Sequence, residues 1–300
     1  MKNNLFLLAI FCAMIAWGVS WPCMKILNEY LDAAELVFVR YALTAAALIA
    51  IAAVARQKLA IDRRSLLIAI GAGAITDIFG YLVFVGVTFG AAGLGGAFIN
   101  AVSPIITYAL TMALFRRKAA PLDLAALAIG FSGALLILNV WEFEASEIFS
   151  KYNAVFIAAA FLWSIVTLLS ARSRANMIAF SFYLYLSATL FATAFTDFGA
   201  IDLAKMDARF WGAALFVSVI STALASTLFF LGSKRLGADR VSVFMFVTPA
   251  SAIIASAIAL DERLSRAELV GIALAIAAVY ILNRAAFCKP KTERADSKRS

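Results

Sequence analysis

Long apolar runs alternate with short polar connections along the chain, and the runs set the expected architecture. A helix crossing the hydrocarbon of a bilayer needs roughly 20 apolar residues, because that layer is about 30 Å thick and each residue rises about 1.5 Å. Ten runs have this character: Leu5–Leu27, Ala34–Ala55, Leu66–Phe89, Leu94–Phe115, Leu122–Trp141, Ala154–Ala171, Met177–Phe198, Phe210–Gly232, Val241–Leu260 and Leu269–Phe287. Little chain is left between them. The pattern predicts one all-α membrane protein of ten transmembrane helices with short connections and no soluble domain.

The runs also repeat. Pro104 sits inside the fourth, "NAVSPIITYALTMALF", where a proline costs roughly 3 kcal/mol in an ordinary helix interior. Pro249 occupies the same place in "FMFVTPASAIIASAIAL", 145 residues later. A charged turn follows each run, Arg116–Lys118 and Asp261–Arg263, then an acidic helix start, Asp123 and Glu268. Asn139 and Asn283 close the two halves, and Trp17 matches Trp163 at an offset of 146. Proline and tryptophan occur only five times each, so their pairing at one offset predicts a duplication. Residues 1–141 form a first repeat, 152–287 a second, and 288–300 a basic tail. Five spans per repeat is an odd number, so the second repeat runs across the membrane in the opposite direction. Such inverted repeats serve secondary transporters, whose two halves rock around a central site. Pro104 and Pro249 are therefore expected to break their helices beside that site. Ser103 and Thr248, which directly precede them, are placed to help satisfy the freed backbone groups.

Composition agrees with this reading. Hydrophobic residues make up 64% of the chain and charged residues 15%, with mean hydropathy +0.94. The net charge of +8 has a topological origin. Basic residues concentrate in alternate connections (Arg56 to Arg64, Arg116 to Lys118, Arg172 with Arg174, Lys234 to Arg240) and after Arg284. The positive-inside rule then puts both termini in the cytoplasm of a multi-pass plasma (inner) membrane protein. The charge is matched to membrane lipids, and no nucleic-acid partner is expected. The first run is too long for a signal peptide and reads as a retained helix. Histidine is absent, which excludes histidine zinc sites and histidine acid–base catalysis. Cys12, Cys23 and Cys288 make no disulfide framework. No cofactor or metal is expected.

Charges within spans mark function or buried pairs. Asp77 lies near the centre of the third span and Arg40 in the second. Two readings stay open: Asp77 takes a proton or a substrate amine while Arg40 meets a substrate carboxylate, or the two form a structural pair. Gly73, Asp77, Tyr81, Phe84 and Thr88 share one helical stripe, as do Asn100, Ser103, Thr107 and Thr111, and Ser218, Thr222, Ser226 and Phe229. Polar stripes in lipid must face protein or water, so these line a cavity or join helices. Trp17 and Trp163 are expected as cavity walls, and Tyr183 and Tyr185 in the seventh span are further candidates. Trp21 reads as an interfacial belt residue. The expected cavity set is Trp17, Arg40, Asp77, Tyr81, Asn100, Ser103, Thr107, Trp163, Tyr185, Ser226 and Thr248. Small residues in Gly130–Gly133 and Gly271–Ala275 allow close approach of a second copy, a homodimer through the peripheral helices. The glycines from Gly90 to Phe98 match no phosphate-loop spacing.

"AIAWGVSWPCMKIL" and "LGADRVSVFMFVTPASAIIASAIALDERLSRAELVGIALAIAAVYILN", with the weaker first-half copy "FGAAGLGGAFINAVSPIITYALTMALFRRKAAPLDLAALAIGFSGALLILN", resemble the EamA-type family of the drug/metabolite transporter superfamily. The resemblance covers nearly the whole chain. It implies a ten-helix carrier in which helices one to four and six to nine surround the cavity and helices five and ten pack at the side. The family often has an acidic residue after the fourth and ninth helices: Glu262 fits and Arg116-Arg117-Lys118 departs, so Glu262 is read as a turn residue.

The expected function is secondary transport of a small organic solute by alternating access, with export of amino acids or related metabolites the reading the resemblance favours. Multidrug efflux and uptake of vitamin- or nucleoside-type metabolites are the alternatives within that class. A channel lacks a filter-like sequence. An intramembrane lipid enzyme would need clustered acids, and Glu142, Glu144 and Glu147 lie in a connection.

Overall fold

The computed structural model describes residues 3–89, 92–116, 118–142, 151–260 and 264–287. Glu262, Glu144, Glu147, Gly90, Arg117 and the basic tail lie outside the described residues. The described residues form helices and no strand. In chain order these are α1 (Asn3–Leu27), α2 (Ala33–Val54), α3 (Arg63–Phe89), α4 (Ala92–Phe115), α5 (Pro121–Ile137), α6 (Lys151–Arg172), α7 (Met177–Ala192) and α8 (Ala208–Leu236). They are followed by α9 (residues 238–260) and α10 (Arg266–Phe287).

Seven of these helices are long and apolar enough to cross a membrane, and α5 and α7 are shorter apolar helices. At 17 and 16 residues they rise about 25 Å, close to the thickness of a hydrocarbon layer. The chain is a multi-pass helical membrane protein.

Helix ends follow local chemistry. Ser265 and Glu268 form a reciprocal capping box at the start of α10, with Glu268 Oε2 accepting from the Ser265 N–H at 2.6 Å and the Glu268 N–H donating to Ser265 Oγ at 3.2 Å. Asp207 caps α8 by accepting the Phe210 N–H at 2.9 Å.

Helix packing exchanges between the halves. α1 packs on α9 and α8, while α6 packs on α4 and α3. α2 packs on α8 while α3 packs on α7; α2 also meets α7, and α5 meets α10. Each of these contacts made by one half on the other has its counterpart five helices away. The residues before the two prolines take part in this exchange. Ser103 Oγ donates to the Ala160 carbonyl on α6 at 3.3 Å, and Thr248 Oγ1 lies 3.7 Å from Met14 Sδ on α1.

Three expectations change here. α4 runs unbroken through Pro104. A proline removes one intrahelical bond, and contacts with the neighbouring helix hold this stretch: Ser164 Oγ donates to the Ser103 carbonyl at 3.2 Å, next to Pro104. Of the two, the break belongs to α9, where a 3-10 turn, Val243–Phe246, separates Ala238–Ser242 from Val247–Leu260 and ends just before Val247, Thr248 and Pro249. Second, α8 contains an eleven-residue π-helical stretch, Phe216–Ser226, that no sequence pattern announced. Third, the small-residue stripes of α5 and α10 pack on each other within one chain. A Cβ at Gly133 would lie 2.8 Å from the Gly271 carbonyl oxygen, and one at Gly271 would lie 2.6 Å from that of Gly133. These two glycines lie in a backbone contact within one chain.

Candidate functional site

A central cavity of about 60 Å³ opens where α1, α2, α3, α4, α6, α7, α8 and α9 converge. One wall is aromatic. Trp17 and Trp163 meet edge to face with ring centroids 5.3 Å apart, Phe79 lies 5.2 Å from Trp163, and Phe229 packs behind both tryptophans at 4.9 and 5.8 Å. Tyr41 and Tyr185 stack at 5.4 Å on another side, both fully buried.

The polar wall is built from α2 and the π-helical part of α8. A π stretch inserts extra backbone per turn and redirects side chains and carbonyls, and such stretches recur at functional sites. Here Thr222 Oγ1 donates five residues back to the Val217 carbonyl at 2.7 Å, and accepts from Arg40 Nε and Nη2, each at 3.1 Å. Arg40 Nη1 lies 3.6 Å from Met24 Sδ, and its guanidinium sits 5.6 Å from the Tyr41 ring centre. Among the described residues no carboxylate pairs with Arg40. The Ser221 carbonyl accepts the Trp17 indole N–H at 2.9 Å, and the Ser218 carbonyl accepts Thr44 Oγ1 at 3.1 Å.

The two tryptophans differ in one respect. Trp17 has its acceptor, whereas Trp163 Nε1 and Thr76 Oγ1 are buried without a partner among the described residues. Both side chains line the central cavity. The Thr76 carbonyl is already taken by the Tyr41 hydroxyl at 2.9 Å. Among the described residues, the cavity therefore holds a cation with no paired carboxylate, an unused indole donor and an unused hydroxyl.

Of the residues expected in the cavity, Trp17, Arg40, Asn100, Trp163, Tyr185 and Ser226 line it together. Ser103, Thr107 and Thr248 do not; they are buried at helix contacts, with Thr107 Oγ1 unpartnered. Asp77 and Tyr81 line a separate cavity on the flank of the bundle. Asp77 and Arg40 form no ion pair, because α3 turns about 100° per residue and presents Thr76, Phe79 and Val83 inward instead. Gly73 packs against α7 and Thr88 is exposed, so the expected α3 stripe serves several surroundings. Sequence reasoning missed Tyr41, Thr76, Phe79 and Ser221. It also put Trp21 at the interface, and Trp21 lines the cavity 6.4 Å from Phe156; its position one turn from Trp17 carried the signal.

Residues 4–139 and 150–284 each match the family model described as the EamA-like transporter family. No curated protein matches the chain. Twenty-nine chains of solved structures match it. One, described only as the crystal structure of a protein, superposes with a TM-score of 0.74 at 15% identity, over 93% of this chain and 98% of its own, a likeness of fold.

Proposed function

From the premise that the chain belongs to the EamA-like transporter family, whose members move small solutes across membranes, we propose that it is a secondary transporter exporting amino acids or related carboxylate-bearing metabolites. The observation that carries the substrate class is the central cavity's unmatched polarity: Arg40 without a carboxylate partner, with the Trp163 N–H and the Thr76 hydroxyl unused. In this reading the substrate carboxylate meets Arg40, which offers a planar fork of donors suited to it. Trp163 Nε1 and Thr76 Oγ1 take further polar atoms, and Trp17, Trp21 and Phe79 hold the apolar part.

The ten helices act as spans of two inverted five-helix repeats, with both termini in the cytoplasm and the protein in the plasma (inner) membrane. Support comes from the basic connections on one side and from the exchange of helix contacts between halves. The cavity of about 60 Å³ is far below the roughly 300–1,000 Å³ of a ligand pocket, so substrate entry requires the halves to part. Rocking of α1 and α6 against α9 and α4 supplies that motion, and the 3-10 turn in α9 and the π stretch in α8 are the points where backbone geometry departs from α-helix. The test is counterflow of labelled amino acids into proteoliposomes: saturable accumulation against an internal unlabelled pool supports the reading. Absence of any such flux for the whole amino-acid panel by folded protein rejects the substrate class.

A further inference from the structure

The flank cavity differs from the central one in place, size and chemistry. It measures about 470 Å³ and lies between α2, α3 and α7, walled by Ala34, Asp77, Ile78, Tyr81, Ala192 and Phe195. Ala34 is near the start of α2, Ala192 ends α7 and Phe195 lies in the turn after it, so the cavity extends from the middle of α3 toward that end of the bundle. Ile78, Tyr81 and Phe195 are 53%, 48% and 75% exposed, which opens it to the surroundings of the bundle.

Asp77 is 8% exposed, and no donor or cation among the described residues pairs with it. The charges nearby are engaged elsewhere. Arg40 is held by Thr222 in the central cavity, and Glu35 on α2 accepts the Asp197 backbone N–H at 2.9 Å. A carboxylate at this depth costs at least roughly 2.5 kcal/mol if left alone in a membrane. A resident inorganic cation would need about six oxygen ligands, and among the lining side chains only Asp77 and Tyr81 carry oxygen. An organic ammonium needs less: one carboxylate for the charge, aromatic faces for its methyl or methylene shell, and apolar walls for its tail. Asp77, Tyr81 with Phe195, and Ala34, Ile78 and Ala192 supply these three in turn.

We propose that the flank cavity is a second binding site, separate from the central cavity, for an amphipathic organic ammonium ion whose charge pairs with Asp77 and whose tail lies on the exposed apolar walls. The proposal does not depend on what the central cavity carries.

The probe is labelled benzyltrimethylammonium, which cannot lose its charge by deprotonation, bound to the purified full chain in phosphatidylglycerol nanodiscs, which contain no ammonium headgroup. The expected result is saturable binding, weakened at least tenfold by Asp77→Asn, recovered by Asp77→Glu, unchanged by Arg40→Gln, and not competed by neopentylbenzene, the uncharged isostere. Equal binding to wild type and Asp77→Asn overturns the proposal, as does equal competition by neopentylbenzene, which would mean apolar partition only. Loss of binding in Arg40→Gln but not in Asp77→Asn would also overturn it, by placing the ion in the central cavity. If Asp77→Asn does not elute as a folded protein, Ala192→Phe, which fills the cavity and keeps the carboxylate, decides: weakened binding supports the site and unchanged binding removes it.

Discussion

Trp17 and Trp163, 146 residues apart, meet edge to face at 5.3 Å across the two halves of the protein, yet only Trp17 has an acceptor for its indole N–H. Equivalent positions in the two repeats have been given different work. Trp17 ties α1 to the π-helical stretch of α8 through the Ser221 carbonyl, and Trp163 leaves its donor in the cavity.

The pair predicts a separation of effects. Trp17→Phe removes the hydrogen bond that joins α1 to α8, which costs about 0.5–1.5 kcal/mol because Ser226 Oγ still donates to the same carbonyl at 3.4 Å. Its thermal melting temperature in detergent should fall. Trp163→Phe removes a donor that has no partner among the described residues, so its loss of stability should come from ring packing alone and be smaller than that of Trp17→Phe, while substrate affinity falls. Equal loss of stability in both variants would show that the Trp163 N–H is satisfied in the protein.

Gly133 and Gly271 bring the backbones of α5 and α10 together. Gly133→Val puts a branched side chain against the Gly271 carbonyl, where the obstacle is backbone and cannot rotate away. Overpacking of this kind costs about 1–3 kcal/mol or more. Melting should show a destabilised protein of unchanged oligomeric state. A stable protein that loses a dimer would instead mean that these glycines face a second copy.

At the α1–α8 end of the bundle, Asp207 accepts from the Phe210 N–H and from the Tyr30 hydroxyl at 2.8 Å, and these bonds hold its carboxyl below the usual carboxylate range. The folded value is depressed, so this contribution to stability is complete above the ordinary aspartate range and is lost as pH falls through the lower, folded value. Melting curves recorded from neutral to acidic pH should converge for wild type and Asp207→Asn at the acidic end, with wild type the more stable at neutral pH. Parallel curves would contradict this.

Much of the architecture was legible because membrane helices need long apolar runs, and these stand out in any window. The EamA family was legible because the second-half segment from Leu236 to Asn283 keeps its pattern of glycine, proline, charged turn and asparagine. The pairing of Trp17 with Trp163 followed from a repeat offset, which carries spatial information that a single helix does not. The faces were harder. A membrane helix is apolar toward lipid and toward its neighbours alike, so α3 has no strong periodicity to say whether Thr76 or Asp77 points inward, and one residue changes the direction by about 100°. The π stretch was hidden for a related reason. Phe216–Ser226 carries no glycine or proline to mark a change of helix type, and its contacts come from other helices: the Ser221 and Ser218 carbonyls accept from Trp17 and Thr44, and the Thr222 hydroxyl from Arg40. Pro104 was read as a break, and α4 continues through it where α4 packs on α6 and Ser164 Oγ bonds the Ser103 carbonyl.

The central claim is that Arg40, without a carboxylate of its own, receives that of the substrate. Counterflow of a labelled amino-acid panel should be measured in proteoliposomes with wild type, Arg40→Gln and Arg40→Lys. The account predicts saturable accumulation by wild type, a loss of at least about tenfold in Arg40→Gln, equivalent to roughly 1.4 kcal/mol of substrate binding, and incomplete recovery in Arg40→Lys because an ammonium lacks the fork of donors. Undiminished counterflow of the same amino acid by folded Arg40→Gln would contradict it.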